Sequence, residues 1–226
     1  SPKQGFRHQN ELWVLHLKEM RWEQVEAKNG PSSRSGHRMV ALKGGKLVVF
    51  GGYFDSPKHC LYYNDLHVFD TNTREWSAFK APARGTSWPS ERSGFNMVVW
   101  NKPSGEESKQ QGVASTSEVL LVYGGTRVEN KGKYSDTGIT ETDLWELDLA
   151  LGEPKWKRIG APGLVLPHKR LSMGMVLHRN QLVFFGGVED VETRWDLKST
   201  HFNELWYYNL KSKKCDRIRL KSDVDQ

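Results

Sequence analysis

The chain has 226 residues, of which 37% are hydrophobic and 27% charged, with a mean hydropathy of −0.67, a net charge of +6 and a pI of about 9.2. That length suits one large all-β domain or two small ones, and no apolar run approaches the roughly 20 residues a membrane helix needs, so no membrane partner is expected. The positive balance allows an acidic partner without demanding one.

Residues 1–9 are polar and irregular, with no apolar stretch of signal-peptide type. The first strand predicted is Asn10-Glu11-Leu12-Trp13-Val14-Leu15-His16-Leu17, which alternates, followed by Trp22-Glu23-Gln24-Val25. The same pair returns at Asn64-Asp65-Leu66-His67-Val68-Phe69-Asp70 with Trp76. It returns again at Thr142-Asp143-Leu144-Trp145-Glu146-Leu147-Asp148 with Trp156, and at Asn203-Glu204-Leu205-Trp206-Tyr207-Tyr208-Asn209 with Cys215 in the tryptophan's place. From acid to Trp or Cys the spacings are 11, 11, 13 and 11. Each unit reads as a hairpin: an alternating strand, a polar turn closed by Asp or Asn, and a second strand anchored by an indole. Trp22, Trp76 and Trp156 are therefore expected in the core. Trp13, Trp145 and Trp206 are expected to fill space between sheets rather than to stack on nucleic acid.

Two further strands precede each later hairpin. One ends in a glycine pair: Leu47 to Gly52, Leu120 to Gly125 and Leu182 to Gly187. Gly tolerates positive φ and close backbone approach, so the doublet marks a tight exit from a buried strand. The other is led by arginine: Arg34-Ser35-Gly36, Arg92-Ser93-Gly94 and Arg170-Leu171-Ser172, each with Met five positions after the arginine. One repeat is then four strands. Complete units are placed at 34–80, 92–159 and 170–220, and a half unit at 1–27, all in one segment. The Gly/Ser/Gln/Lys/Glu stretch from Asn101 to Ser117 reads as a mobile insertion. The segments after the glycine pairs, Tyr53 to Tyr63, Thr126 to Glu141 and Val188 to Phe202, read as long loops.

On these residues the chain resembles the kelch repeat family. Gly51-Gly52 with Trp76 and Gly124-Gly125 with Trp156 fit its pattern, and Gly186-Gly187 with Cys215 departs at one place. More narrowly, residues 10–17, 22–25 and 30–41 are similar to the kelch domain-containing protein 4 group. The resemblance implies an all-β, kelch-type β-propeller, here about three and a half four-stranded blades of a larger ring of about six or seven. It implies a non-enzymatic scaffold that binds a protein or peptide through its inter-strand loops. In the family, an arginine at the head of the first strand lines that pocket. Arg34, Arg92 and Arg170 match, with Ser35 and Ser93 beside two of them. Several guanidiniums would suit carboxylates or phosphates; the alternative is that they pair with acids inside the propeller.

Glu11, Asp65, Asp143 and Glu204 recur once per unit, which argues for turn capping or arginine pairing rather than catalysis. Trp88 and Trp195 fall outside the repeat and are candidate partner contacts. The basic clusters around Lys155, Lys169 and Lys213 leave open an RNA or pre-ribosomal partner. No phosphate-loop, zinc-protease or serine-hydrolase motif occurs in the sequence, and the eight histidines lack ligand spacing. No catalytic residue, metal, cofactor or small-molecule substrate is expected. Two widely separated cysteines, Cys60 and Cys215, point to free thiols in a reducing compartment, the cytoplasm, nucleus or nucleolus.

Overall fold

A computed structural model describes residues 7–56, 59–82, 87–103, 116–130, 136–150, 152–160, 169–192 and 196–219. Among these residues there are twenty strands and no helix. The chain divides into two compact units, Ser1–Thr86 with Ser90–Ser93, and Ser87–Pro89 with Gly94–Gln226.

The first unit opens with an antiparallel hairpin, β1 (Leu12–His16) and β2 (Arg21–Val25). There follow β3 (Arg38–Leu42), β4 (Lys46–Phe50), β5 (Tyr53–Ser56), β6 (His59–Tyr62), β7 (Leu66–Asp70) and β8 (Glu75–Phe79). β3, β4, β7 and β8 form one antiparallel sheet in chain order, while β5 and β6 form a separate two-stranded ribbon. β4 is the buried strand that its apolar run predicts: Val48, Val49 and Phe50 are all buried, facing Val68, His67 and Leu66 of β7. Burying each such aliphatic or aromatic side chain stabilises the sheet by about 1.5–3 kcal/mol.

The second unit repeats the plan twice. β9 (Asn96–Pro103), β10 (Thr116–Tyr123), β13 (Leu144–Asp148) and β14 (Lys155–Ile159) make one sheet, with the ribbon β11 (Thr126–Asn130) and β12 (Asp136–Thr140) inserted. β15 (Gly174–His178), β16 (Gln181–Phe185), β19 (Leu205–Asn209) and β20 (Cys215–Ile218) make the other, with the ribbon β17 (Val188–Glu192) and β18 (Leu197–His201). One core joins these two sheets. Leu121, Tyr123 and Leu144 meet Met175, Leu182 and Phe184, and the Tyr123 and Phe184 rings lie 4.8 Å apart, edge to face. Two side-chain bonds tie the sheets further: Asn96 donates to the Met173 carbonyl at 3.0 Å, and the Trp100 indole to Asn180 at 3.3 Å.

Turn chemistry follows the sequence. Asp70 accepts from the amides of Asn72 and Thr73, Asp148 from Ala150, and Asn209 from Lys211 and Ser212. The glycine pairs also behave as the sequence requires. Gly52 has φ +103°, and a Cβ there would stand 2.8 Å from the Ser35 carbonyl oxygen. The reason is a bridge between Ser35 and Tyr53, which brings the arginine-led turn against the glycine.

Three expectations differ from the structure. The long segments after the glycine pairs are ribbons, not loops, because their Tyr, Thr, Val and Leu residues favour extended pairing. The insertion at 101–117 is strand at both ends: Asn101, Lys102 and Pro103 pair with Glu118, Ser117 and Thr116, and residues 104–115 lie outside the described residues. Trp22, expected in the core, is 60% exposed, whereas Trp156 is buried and Trp76 half-buried. The β1–β2 sheet has only two strands, so no inner strands screen Trp22.

Gly52→Ala is expected to cost about 2 kcal/mol or more, since it combines left-handed strain with a clash against backbone. Ser172, held at φ +56° where the other repeats place Gly36 and Gly94, gives the opposite case. Ser172→Gly is expected to stabilise by about 0.5 kcal/mol, the relief of strain exceeding the added chain entropy. Urea denaturation of both variants checks the pair of signs.

Candidate functional site

The arginine-led turns are the best-defined polar centres in the molecule. Arg34 is 5% exposed, Arg92 0% and Arg170 4%. Arg34 donates through Nε to the Ser32 carbonyl (3.0 Å) and through Nη1 to the Gly51 carbonyl (3.0 Å). Its two terminal nitrogens then grip Asp65 as a fork, at 2.6 and 2.9 Å. The Tyr63 ring lies under the guanidinium, 4.2 Å from its carbon. Arg170 has the same surroundings: the Gly186 carbonyl, the Glu204 carboxylate and the Phe202 ring at 3.5 Å. Arg92 repeats the local part, donating to the carbonyl and hydroxyl of Ser90.

The acids complete the unit. In all four repeats the carboxylate is hydrogen-bonded to the ring nitrogen two residues on. Trp13 donates to Glu11 (3.2 Å), Trp145 to Asp143 (2.6 Å) and Trp206 to Glu204 (3.2 Å), and the His67 ring meets Asp65 at 2.9 Å. Residues i and i+2 share one face of a strand, which explains the fixed spacing. The backbone of three of these acids is also used: Gly51, Gly124 and Gly186 donate their amides to the carbonyls of Asp65, Asp143 and Glu204. Burial by itself would push the Asp65 carboxyl up. The hydrogen bonds from His67 and Arg34, with the Arg34 charge, outweigh it and hold the carboxyl well below the usual range. Burial, with the Arg34 and Arg38 charges adding to it, lowers the pKa of His37.

The other sequence candidates are dispersed. Ser35 is half-buried, and its hydroxyl is 2.8 Å from His8 Nδ1. Since His8 Nε2 accepts from the Asp55 amide, Nδ1 carries the proton and donates to Ser35. Ser93 is buried. Trp88 is half-buried and packs edge-on against Trp156 at 5.8 Å, which in turn meets Trp145. Trp195 lies outside the described residues. Cys215 is half-buried against the core, and burial pushes its thiol up to about 11. Cys60 is exposed, and both cysteines are free.

What sequence reasoning missed is the ribbons. Each carries at least one exposed large apolar side chain: Leu61 on β6 (46%), Val128 on β11 (40%) and Leu197 on β18 (59%). The signal was there in the β-branched and aromatic residues flanking each glycine pair, but no period marks it.

Comparison with known proteins gives a consistent picture. Residues 3–104 match the KLHDC2/KLHL20/DRC7 Kelch-repeats domain. The chain is 26% identical to Adagio protein 3 of Arabidopsis thaliana over 79% of this chain and 26% of that protein. It is 30% identical to human host cell factor 1 over 86% of this chain and 8% of that protein, so it spans about a quarter or less of these relatives. Among solved structures it is similar to that of YjhT, with a TM-score of 0.57 over 98% of this chain and 68% of the other, at 13% identity.

Asp65→Ala leaves the Arg34 guanidinium buried without its carboxylate and is expected to cost about 3 kcal/mol. Asp65 also sets an acid response. Its folded carboxyl titrates below an unfolded one, so its stabilisation is complete at neutral pH and is lost as pH falls below about 4. In Asp65→Asn this part of the acid slope disappears, which denaturant titrations across pH measure directly.

Proposed function

We propose that this chain of kelch repeats is a display scaffold for protein partners, with the ribbons as its contact elements. Kelch-repeat chains with β-propeller sheets point to protein binding as the general role. The observation that carries the finer reading is the exposure of Leu61, Val128 and Leu197, one on each ribbon, on elements no sheet needs for its core. Apolar side chains held out on rigid hairpins are the usual anchors of protein recognition. The arginine turns act from beneath: Arg34 and Arg170 fasten the roots of β5–β6 and β17–β18 rather than meeting the partner. Ser35 and Trp88, both half-buried, are secondary contact candidates in this reading. The scaffold binds and does not catalyse, and its free thiols suit the cytoplasm or nucleus.

The β1–β2 hairpin is, by the same reading, the outer half of a blade in a larger ring. Trp22 is 60% exposed, and its sheet has two strands only, so its edges are of the kind normally paired or covered. The run at residues 10–17 supports a likeness to the kelch domain-containing protein 4 group. A ribonucleoprotein role has its own support in Lys213, which feels the charges of Lys102 and Lys157 as well as that of Glu146. Burial comes first among the causes that lower Lys213, with the neighbouring lysines adding to it.

Replacing Leu61, Val128 and Leu197 together by serine is expected to leave the melting temperature nearly unchanged and to weaken capture of a co-purified protein by about tenfold or more. Nuclease treatment is expected to leave that capture intact. Binding that survives the triple replacement, or that vanishes with nuclease, overturns the ribbon reading.

A further inference from the structure

The ribbons β11–β12 and β17–β18 flank a cleft of about 630 Å³ within the second unit. Thr137, Gly138 and Ile139 of β12 line one side, and Val188, Glu189 and Asp190 of β17 the other. That volume lies in the range of sites that enclose a ligand, about 300–1,000 Å³.

The backbone of this cleft is the unusual part. Each ribbon has only two strands, so each strand has an edge that its partner does not use. The Glu141 amide donates to the Gly125 carbonyl, and Thr126 stands opposite Thr140 in the β11–β12 register. Bonded and non-bonded pairs alternate along an antiparallel ladder, so Gly138, opposite Val128, turns its N–H and C=O away from β11. On β17, Val188 exchanges both main-chain bonds with Leu171 on the side away from β18. Two residues on, Asp190 turns its own N–H and C=O to that same side. None of the backbone bonds found among the described residues satisfies the outward groups of Gly138 or Asp190.

Gly138 adds an independent observation. It sits mid-strand, where glycine weakens a sheet. Its φ is not in the left-handed region, and a Cβ built there would meet nothing within 4 Å. Neither conformation nor packing requires a glycine. Close approach of another backbone does.

We infer that this cleft takes an extended segment of a protein partner as an added strand beside β12, with its backbone pressed against Gly138. The inference rests on the protein-binding reading above and gives it a site. Main-chain bonds to Gly138, and to Asp190 across the cleft, supply the affinity common to strand addition, and the lining side chains supply the selectivity. Glu189 and Lys169 line the cleft without an ion pair among the described residues, and the Asp190 carboxylate accepts only the Ser199 hydroxyl. Two carboxylates against one ammonium favour a segment bearing a basic side chain. A small residue fits opposite Gly138.

The test is selection of a displayed library of random peptides on the whole chain, followed by measurement on Gly138→Val. Valine favours strand geometry and has free space here, so the variant is expected to melt no lower than wild type. Selected peptides are expected to be extended and basic, and to lose about tenfold or more in affinity for Gly138→Val. Methylating alternate peptide nitrogens should cause a similar loss, and binding should slow exchange of the Gly138 amide. Peptides that bind Gly138→Val as well as wild type overturn the inference, as does a selection that enriches none. A protein partner that binds Gly138→Val normally but is lost on replacing Leu61, Val128 and Leu197 would remove this site alone, leaving the broader reading intact.

Discussion

The structure depends on an arginine placed where a charge ought not to be. Arg34 and Arg170 are almost wholly buried, and such charges are tolerated when they are paired and hydrogen-bonded. The repeat supplies the acceptors from separate pieces of chain: a carbonyl from the first glycine of the pair and a carboxylate from the acid that leads the third strand. An aromatic face comes from the residue two before that acid. The carboxylate is itself steadied by a ring N–H from two residues further on. Three stretches far apart in sequence are thereby fixed to one point, and each landmark of the repeat has a physical reason to be there.

This also explains why the same arginine can resemble a binding group in the sequence. A guanidinium has the donor fork that suits a partner's carboxylate, and nothing in one dimension says whose carboxylate it finds. The once-per-repeat acid was the clue. A ligand has no reason to bring one carboxylate per repeat at constant spacing, whereas an internal clamp does. In the structure Asp65 and Glu204 fill that role, and Arg92 shows the same contacts to its own turn.

The parts legible in the sequence were those governed by period or by special backbone. The four-strand unit, the hairpins closed by Asp70, Asp148 and Asn209, and the glycine pairs all follow from local rules. The ribbons did not, because two short strands beyond the core show no alternation of buried and exposed residues; β18 is exposed along its whole length. Trp22 misled for a related reason. Its spacing from Glu11 matches that of the buried Trp156 to its acid closely enough, but burial depends on neighbours the spacing cannot specify. Likewise Trp13, Trp145 and Trp206 share a position and a hydrogen bond but not an environment: 47% exposed, 8% exposed and half-buried.

Clamp and ribbon divide the work between them. Each ribbon leaves its sheet immediately after the glycine pair and returns just before the clamp acid, and its first and last bonds involve those same residues. Gly52, Gly125 and Gly187 accept from Tyr63, Glu141 and Phe202. A hairpin alone is marginally stable in water. Here the root is fixed by main-chain bonds at the glycine pair and, for β5–β6 and β17–β18, by a buried ion pair, so its edges need not be paired for it to hold its shape. Side chains and main-chain edges beyond that root are then free of any duty to the core. Exposed leucine and valine on such elements cost the fold little, and a strand left open at its edge stays ordered enough to accept another. Rigidity at the root is what allows irregularity at the tip, and recognition needs both.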